Sequence, residues 1–385
     1  GLEVQLASPA GLLGLALFWA AWAVVARARP RWRRGLFPVG AVAIAPTGLV
    51  LAELLLAAAG VQPLAWSGDE GWSEPIALRC AKEGGSILLE VAEKGGDDWL
   101  AVINEGARWQ TLPRDKAPGT WRIAALGESS AQAANYLAEE SFLAVLAARI
   151  QQTHPDRRIE LLNGGIGGAI SDDVVRAGRD ALQADADLLI LYHGVNDLGR
   201  LETLASLRAF TPAQLSLRIL LDESRVARVL TDLLPDTLRA RWSAPQEGGA
   251  ELDRTGDDGG DRLLELAALR CTRNQQRLAR EAQARGVPVV VVAQAMLEPP
   301  PDAEFDTEGK TALLRWIAEE TAARTGATFV DGGAVLRAHA RARGGERLGE
   351  EYFWDDLHPS RLGHAVLGEA LAPTVQRLLL EADAR

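Results

Sequence analysis

"RIAALGESSAQ", residues 122–132, is an apolar run that ends in Gly-Glu-Ser-Ser and passes into small helix-forming residues. Periodicity makes it a buried strand, a sharp turn and the start of a helix. The same rhythm repeats along the chain. Strands are expected at 121–126, 158–162, 187–193, 287–293 and 327–330, with helical patterns between and after them at 131–151, 171–183, 261–285, 311–325 and 361–381. Such alternation predicts an α/β fold, a parallel sheet covered by helices on both faces. In sheets of this kind functional residues sit on the loops at the carboxyl ends of the strands. By itself a Ser at such a turn is a helix cap, and Ser129 and Ser130 qualify equally.

Those loops hold an unusual set. Gly127-Glu128-Ser129-Ser130 follows the first strand. Asn163-Gly164-Gly165-Ile166-Gly167-Gly168 follows the second, and Gly194-Val195-Asn196-Asp197 the third. "FWDDLHPS" (353–360) precedes the last helix and sets Asp355 three residues before His358. In order and placement this set resembles the SGNH/GDSL hydrolase superfamily. Its members carry a Ser loop, a Gly loop, a Gly-x-Asn-Asp loop and a C-terminal Asp-x-x-His. The resemblance covers about residues 121–384 and implies a three-layer, flavodoxin-like parallel sheet. The stretch before it, "INEGARWQTLPRDKAPGTWRI" (103–123), is similar to an Asn-x-Gly-x-Arg segment and a Lys-Pro linker seen in family members. One letter departs: the family pattern usually reads Gly-Asp-Ser, though some members read Gly-Glu-Ser-Ser, and here Glu128 keeps the charge and adds a methylene.

Acyl transfer needs a base for the serine proton. Ser129 occupies the nucleophile position, His358 is the expected base, and Asp355 is expected to orient the imidazole, with Asp356 the adjacent alternative. The resemblance implies an oxyanion hole made by the backbone N–H of Ser129, the backbone N–H of Gly168 and the side-chain amide of Asn196. Gly165 and Gly167 are the competing glycines. Asp197 is expected to hold its loop, and His193 to be structural or substrate-facing. No cofactor or metal is expected. The glycines at 164–168 lack the Lys-Ser/Thr of a nucleotide loop, and the two cysteines form no Cys-x-x-Cys or Cys/His cluster. Cys80 and Cys271 are open to a disulfide or to two buried thiols.

The first sixty residues have a different composition. Residues 4–26 carry no charge, residues 27–34 contain Arg27, Arg29, Arg31, Arg33 and Arg34, and a second apolar stretch runs through 36–60. Each stretch exceeds the about 20 residues a transmembrane helix needs. A hairpin of two spans is expected over 1–62, with its Arg-rich turn in the cytoplasm and everything after it outside. Trp19, Trp22, Trp32, Trp66 and Trp72 sit near the expected interfaces. Glu53, inside the second span, calls for the other helix, water or an envelope protein partner. Residues 63–120 read as a small β-rich lead-in and 121–385 as the hydrolase domain. The insertion at 201–260 is helical, then Gly- and Asp-rich, and reads as a lid, a partner surface or a plain excursion.

The net charge of −11 over 385 residues argues against a nucleic-acid binder. The expectation is a membrane-anchored serine esterase, with its catalytic domain periplasmic or extracellular, acting on an acyl or acetyl ester of a glycan or lipid. An O-acetyltransferase of envelope polysaccharide would use the same site with a partner supplying the acyl donor. A non-catalytic envelope scaffold is the third reading, and the intact Ser, Gly, Asn and His set argues against it.

Overall fold

The computed structural model describes residues 52, 89–94, 97–102, 110–113, 115–133, 138–199, 259–298, 308–345 and 347–385. The expected membrane hairpin, Glu53, Cys80 and nearly all of the 201–260 insertion lie outside these residues. Among the described residues no helix is long and apolar enough to cross a membrane.

Three short strands come first, β1 (Leu89–Lys94), β2 (Asp97–Val102) and β3 (Gln110–Pro113), paired antiparallel in the order β1-β2-β3. The larger sheet has five parallel strands, β4 (Thr120–Gly127), β5 (Arg158–Gly165), β6 (Leu188–Tyr192), β7 (Val289–Ala293) and β8 (Thr328–Asp331), in the order β5-β4-β6-β7-β8. Counted within this sheet, that is the 2-1-3-4-5 order of flavodoxin-like folds. The chain leaves β4 toward β5 and then returns to β6 on the other side of β4. The switch opens a crevice at the carboxyl ends of β4 and β6, where ligands of such folds bind.

Alternating side chains divide the core between the two faces. Ala124 and Leu126 of β4, Leu189 and Leu191 of β6, and Val289 and Val291 of β7 face one cluster with helices α3 (Ser171–Gln183), α5 (Gly259–Gln283) and α6 (Glu308–Thr325). Ile123 and Ala125, Leu188 and Ile190, and Val290 and Val292 face the other, with α2 (Phe142–Thr153), α7 (Gly332–Ala342) and α8 (Arg361–Asp383). This accounts for the continuous apolar runs, since central parallel strands are covered on both sides. Arg122 interrupts the apolar run of β4. Fully buried, it pairs with Glu160 directly across from it on β5, at 2.8 Å.

The expected single helix at 131–151 is broken. Helix α1 spans only Ser129–Gln132, because Ala133 turns left-handed (φ 55°), and a 3-10 turn follows at Ala138–Glu140. Ser141 then caps α2 by accepting from Ala144 N at 3.2 Å. The Ala-rich composition hid that cap. The Gly loop is also shorter than its sequence, since β5 continues through Asn163, Gly164 and Gly165. Helix α7 was not expected, because its Gly332-Gly333 start resembles a turn. Asp331 caps it through Ala334 N at 2.8 Å.

Strands β4 and β6 approach so closely at their carboxyl ends that a Cβ on Gly127 would lie 2.1 Å from the Tyr192 carbonyl oxygen. Gly127→Ala must push these central strands apart, and it should lower the unfolding free energy by at least about 2 kcal/mol. A Cβ on Gly199 meets nothing within 4 Å, so Gly199→Ala should stay within about 0.5 kcal/mol of the parent. Urea unfolding of the two variants checks this contrast.

Candidate active site

The parallel strands bring the Ser, Gly and Asn loops to one edge, and the segment before α8 joins them there. Ser129 opens α1 directly after β4. Its Oγ lies 2.7 Å from His358 Nε2, although the two residues are 229 positions apart. On the far side of the ring, His358 Nδ1 lies 2.6 Å from Asp355 Oδ2. The other oxygen of Asp355 accepts from the backbone N–H groups of Leu357 and His358, at 2.9 and 2.8 Å. Asp355, rather than Asp356, therefore meets the imidazole. Burial pushes the Asp355 carboxyl up, but the two backbone donors and the imidazole outweigh it and hold the group below its ordinary range. The loop is closed by Trp354 N donating to His358 O at 2.8 Å and by a bridge between Phe353 and Pro359. Trp354 stands exposed beside the imidazole, with ring centroids 6.1 Å apart.

The expected oxyanion donors differ in local setting. Gly168 takes a left-handed φ of 72° in the turn after β5, a conformation that favours glycine. Gly165 is unsuited to the role. Its N–H donates to Asn163 Oδ1 at 3.0 Å, and a Cβ there would lie 2.2 Å from Gln132 N, so this glycine is required by packing. Asn196 lies on a short helix, α4 (Val195–Gly199), where a turn was expected. Its Nδ2 donates to Ala169 O at 2.9 Å, which ties the Asn loop to the Gly loop and leaves the second amide hydrogen for a ligand.

The departure at Glu128 has a structural role that the sequence did not reveal. Its side chain is fully buried. Oε1 accepts from Gly194 N at 2.6 Å and from Asn196 N at 3.2 Å, and Oε2 lies 3.1 Å from Asn196 N. The carboxyl group thus reaches from the end of β4 to the backbone of the Asn loop. Burial, reinforced by the charge of Asp197, raises its pKa to about 8 against these donors.

Asp197 holds its loop from the other side, accepting from Ser171 Oγ at 2.6 Å and Ser171 N at 2.9 Å, and burial lifts it to about 6. His193 faces the core, not substrate. Burial lowers it to about 3, so its ring is neutral. Its Nδ1 lies 3.8 Å from the free thiol of Cys271. His193, Asp197 and Cys271 are close enough to be considered as metal ligands. The donor set suits a cation poorly, because both Asp197 oxygens are engaged by Ser171 and burial holds Cys271 as a thiol.

A hydroxyl whose proton has an acceptor in reach separates a serine hydrolase from a doubly wound sheet with a merely capped helix. The class is that of the serine esterases. Within it, the chain belongs to the GDSL-like lipase/acylhydrolase family, whose profile matches residues 125–366, well over half of the chain. No curated protein matches it in sequence. Among solved structures it is similar to the acetyl xylan esterase AlAXEase, with 16% identity over 66% of this chain and 99% of that one, at a TM-score of 0.42. It is similar also to Axe2, an acetylxylan esterase from Geobacillus stearothermophilus, with 14% identity over 67% and 94% of the two chains and a TM-score of 0.42. LAE5, an alpha/beta hydrolase from the metagenome of Lake Arreo, Spain, shares 17% identity over 69% and 98%, at 0.40.

Glu128 provides a test of this electrostatic picture. The unfolded chain releases its proton near the ordinary value of 4.5, whereas the folded chain holds it to about 8. Between these values the folded state binds more protons, so stability falls as pH rises through the window and levels off above it. Glu128→Gln should flatten that slope in chemical unfolding measured at steps from pH 4 to pH 9. An unchanged slope would contradict the assignment.

Proposed function

We propose that the protein hydrolyses an acyl or acetyl ester through a covalent acyl-enzyme, with Ser129, His358 and Asp355 as its triad. The observation that carries this reading is the unbroken line from Asp355 Oδ2 to His358 Nδ1 and from His358 Nε2 to Ser129 Oγ, at 2.6 and 2.7 Å. Ser129 Oγ attacks the ester carbonyl while His358 Nε2 takes its proton. Asp355 holds the Nδ1–H tautomer and stabilises the imidazolium. The carbonyl oxygen becomes an oxyanion that the N–H groups of Ser129 and Gly168 and the Asn196 amide receive. Collapse breaks the bond to the alcohol, which leaves with the proton from His358, and Ser129 keeps the acyl group. Water then gives its proton to His358 and attacks the acyl carbon, and collapse breaks the bond to Ser129 Oγ, which takes the proton back from His358 as the acid leaves.

We also propose that residues 1–62 anchor the enzyme in a membrane with its catalytic domain on the outer side. The support is the two apolar stretches and the arginines between them. If so, alkaline carbonate washing leaves the full chain in the membrane fraction, and protease added outside cleaves the catalytic domain. Release by carbonate would overturn the anchor.

Hydrolysis of a chromogenic acetyl ester should fall at least about 10³-fold in Ser129→Ala, and fluorophosphonate labelling should disappear with it. Asp355→Asn should lose about 10²- to 10⁴-fold in kcat by favouring the wrong imidazole tautomer. Activity retained by Ser129→Ala would sink the mechanism. Acetyl transfer to an added glycan in preference to water would reassign the second half-reaction to an O-acetyltransferase.

A further inference from the structure

The buried side chains of Ser130 and Gln294 lie outside this mechanism. Ser130 and Gln294 are 1% and 2% exposed. Gln294 follows β7, a strand that supplies nothing to the triad. Val195 N donates to Gln294 Oε1 at 3.1 Å, Gln294 Nε2 donates to Ser130 Oγ at 3.0 Å, and Ser130 Oγ donates to the Leu357 carbonyl at 3.1 Å. The direction of this chain is forced. A backbone N–H can only donate, so the amide oxygen must face Val195 and the amide nitrogen must face Ser130. The Ser130 hydroxyl receives that donor and has its own proton left for Leu357, whose carbonyl can only accept. Every link ends one residue from a proposed catalytic group: Val195 precedes Asn196, Ser130 follows Ser129, and Leu357 precedes His358.

We propose that Ser130 and Gln294 are positioning residues, forming a buried one-way hydrogen-bond chain that fixes the His358 loop against the nucleophile turn and the Asn196 loop. The inference rests on the triad reading above. The base sits on a segment that belongs to no strand. Another bond to it, from Leu297 N to Asp356 O at 2.9 Å, comes from the segment after β7 and not from the nucleophile turn. The Ser130 hydroxyl ties that segment directly to the helix that carries the nucleophile. Gln294 transmits the rigidity of a central strand to both loops, since Val289–Ala293 is buried throughout. Chains of this kind strengthen cooperatively in a low-dielectric interior.

The test uses Ser130→Ala, Gln294→Leu and the double variant in the full chain, assayed on a chromogenic acetyl ester with Ser129→Ala in parallel. In each single variant kcat should fall about 10²-fold, because a base displaced by about 1 Å loses its alignment. KM should stay within about twofold, since ground-state contacts are untouched. The rate of fluorophosphonate labelling should fall with kcat. The double variant should lose about as much as the worse single variant, because both break one chain. Single variants with parental kcat and a lowered melting temperature would overturn the proposal, leaving the pair as plain partners for buried backbone groups. Losses that multiply in the double variant would overturn it too. If Gln294→Leu fails to fold, Ser130→Ala, which lacks only one hydroxyl, decides the matter. An inactive Ser129→Ala beside a fully active Ser130→Ala overturns this inference alone. An active Ser129→Ala overturns the triad and this inference with it.

Discussion

The carboxyl edge of the sheet is organised around one carboxyl group that solvent does not reach. Glu128 leaves the end of β4 and accepts from the backbone of Gly194 and Asn196 beyond β6. The strands can come close enough for this because Gly127 has no side chain to strike Tyr192. Gly194 can present its N–H because it adopts a φ of 138°. An aspartate at 128 would hold its oxygens one bond length farther back. The extra methylene therefore spans the crevice that the 2-1-3-4-5 order opens between β4 and β6.

Around that group lies a buried population of acids. Asp172, Asp173 and Asp197 are covered along with Glu128, while Arg270 pairs with Asp172 and offsets the field at Asp197. Burial raises Asp173 to about 7, even though its Oδ2 accepts from Ile170 N at 3.0 Å. A raised pKa at Glu128, Asp173 and Asp197, with an ion pair at Asp172, is how such a cluster avoids several uncompensated charges in a small volume. The exposed side is handled differently. Backbone donors and the imidazole hold Asp355 below its ordinary range, and the proposed mechanism needs it ionised beside an imidazole that gains a proton. Two kinds of carboxyl setting thus meet at this edge: Glu128, Asp173 and Asp197, which burial pushes up, and Asp355, which its donors hold down.

The architecture was legible because central parallel strands are apolar on both faces, so "LLILY" and "VVVVA" declare themselves without any partner sequence. Ser129, His358 and Asp355 were legible through the resemblance to the SGNH/GDSL family, whose Ser turn, Gly turn, Asn turn and late Asp-x-x-His stand here in the same order. What stayed hidden depends on distance in space. Glu128 was the least explained letter of its motif until its reach to Gly194 was seen. Gln294 is one polar letter after a valine run, and only its contacts with Val195 and Ser130 separate it from a surface glutamine. The break at Ala133 was masked by an Ala-rich stretch in which every residue favours a helix, and Ser141 announced its cap too quietly within it. Gly165 could not be told from Gly168 by sequence, since packing against Gln132 and a ligand-facing role leave the same letter in the chain.

The position of His358 also bears on how this enzyme comes into being. During synthesis the Ser, Gly and Asn loops emerge early and can assemble with the first three strands of the sheet, while the imidazole emerges more than two hundred residues after Ser129. The loop that bears it is seated against α8, which is made later still. On the proposed mechanism, a chain made only as far as the Asn loop carries the serine without its base, so the site is assembled only once the His358 loop and α8 have joined the sheet.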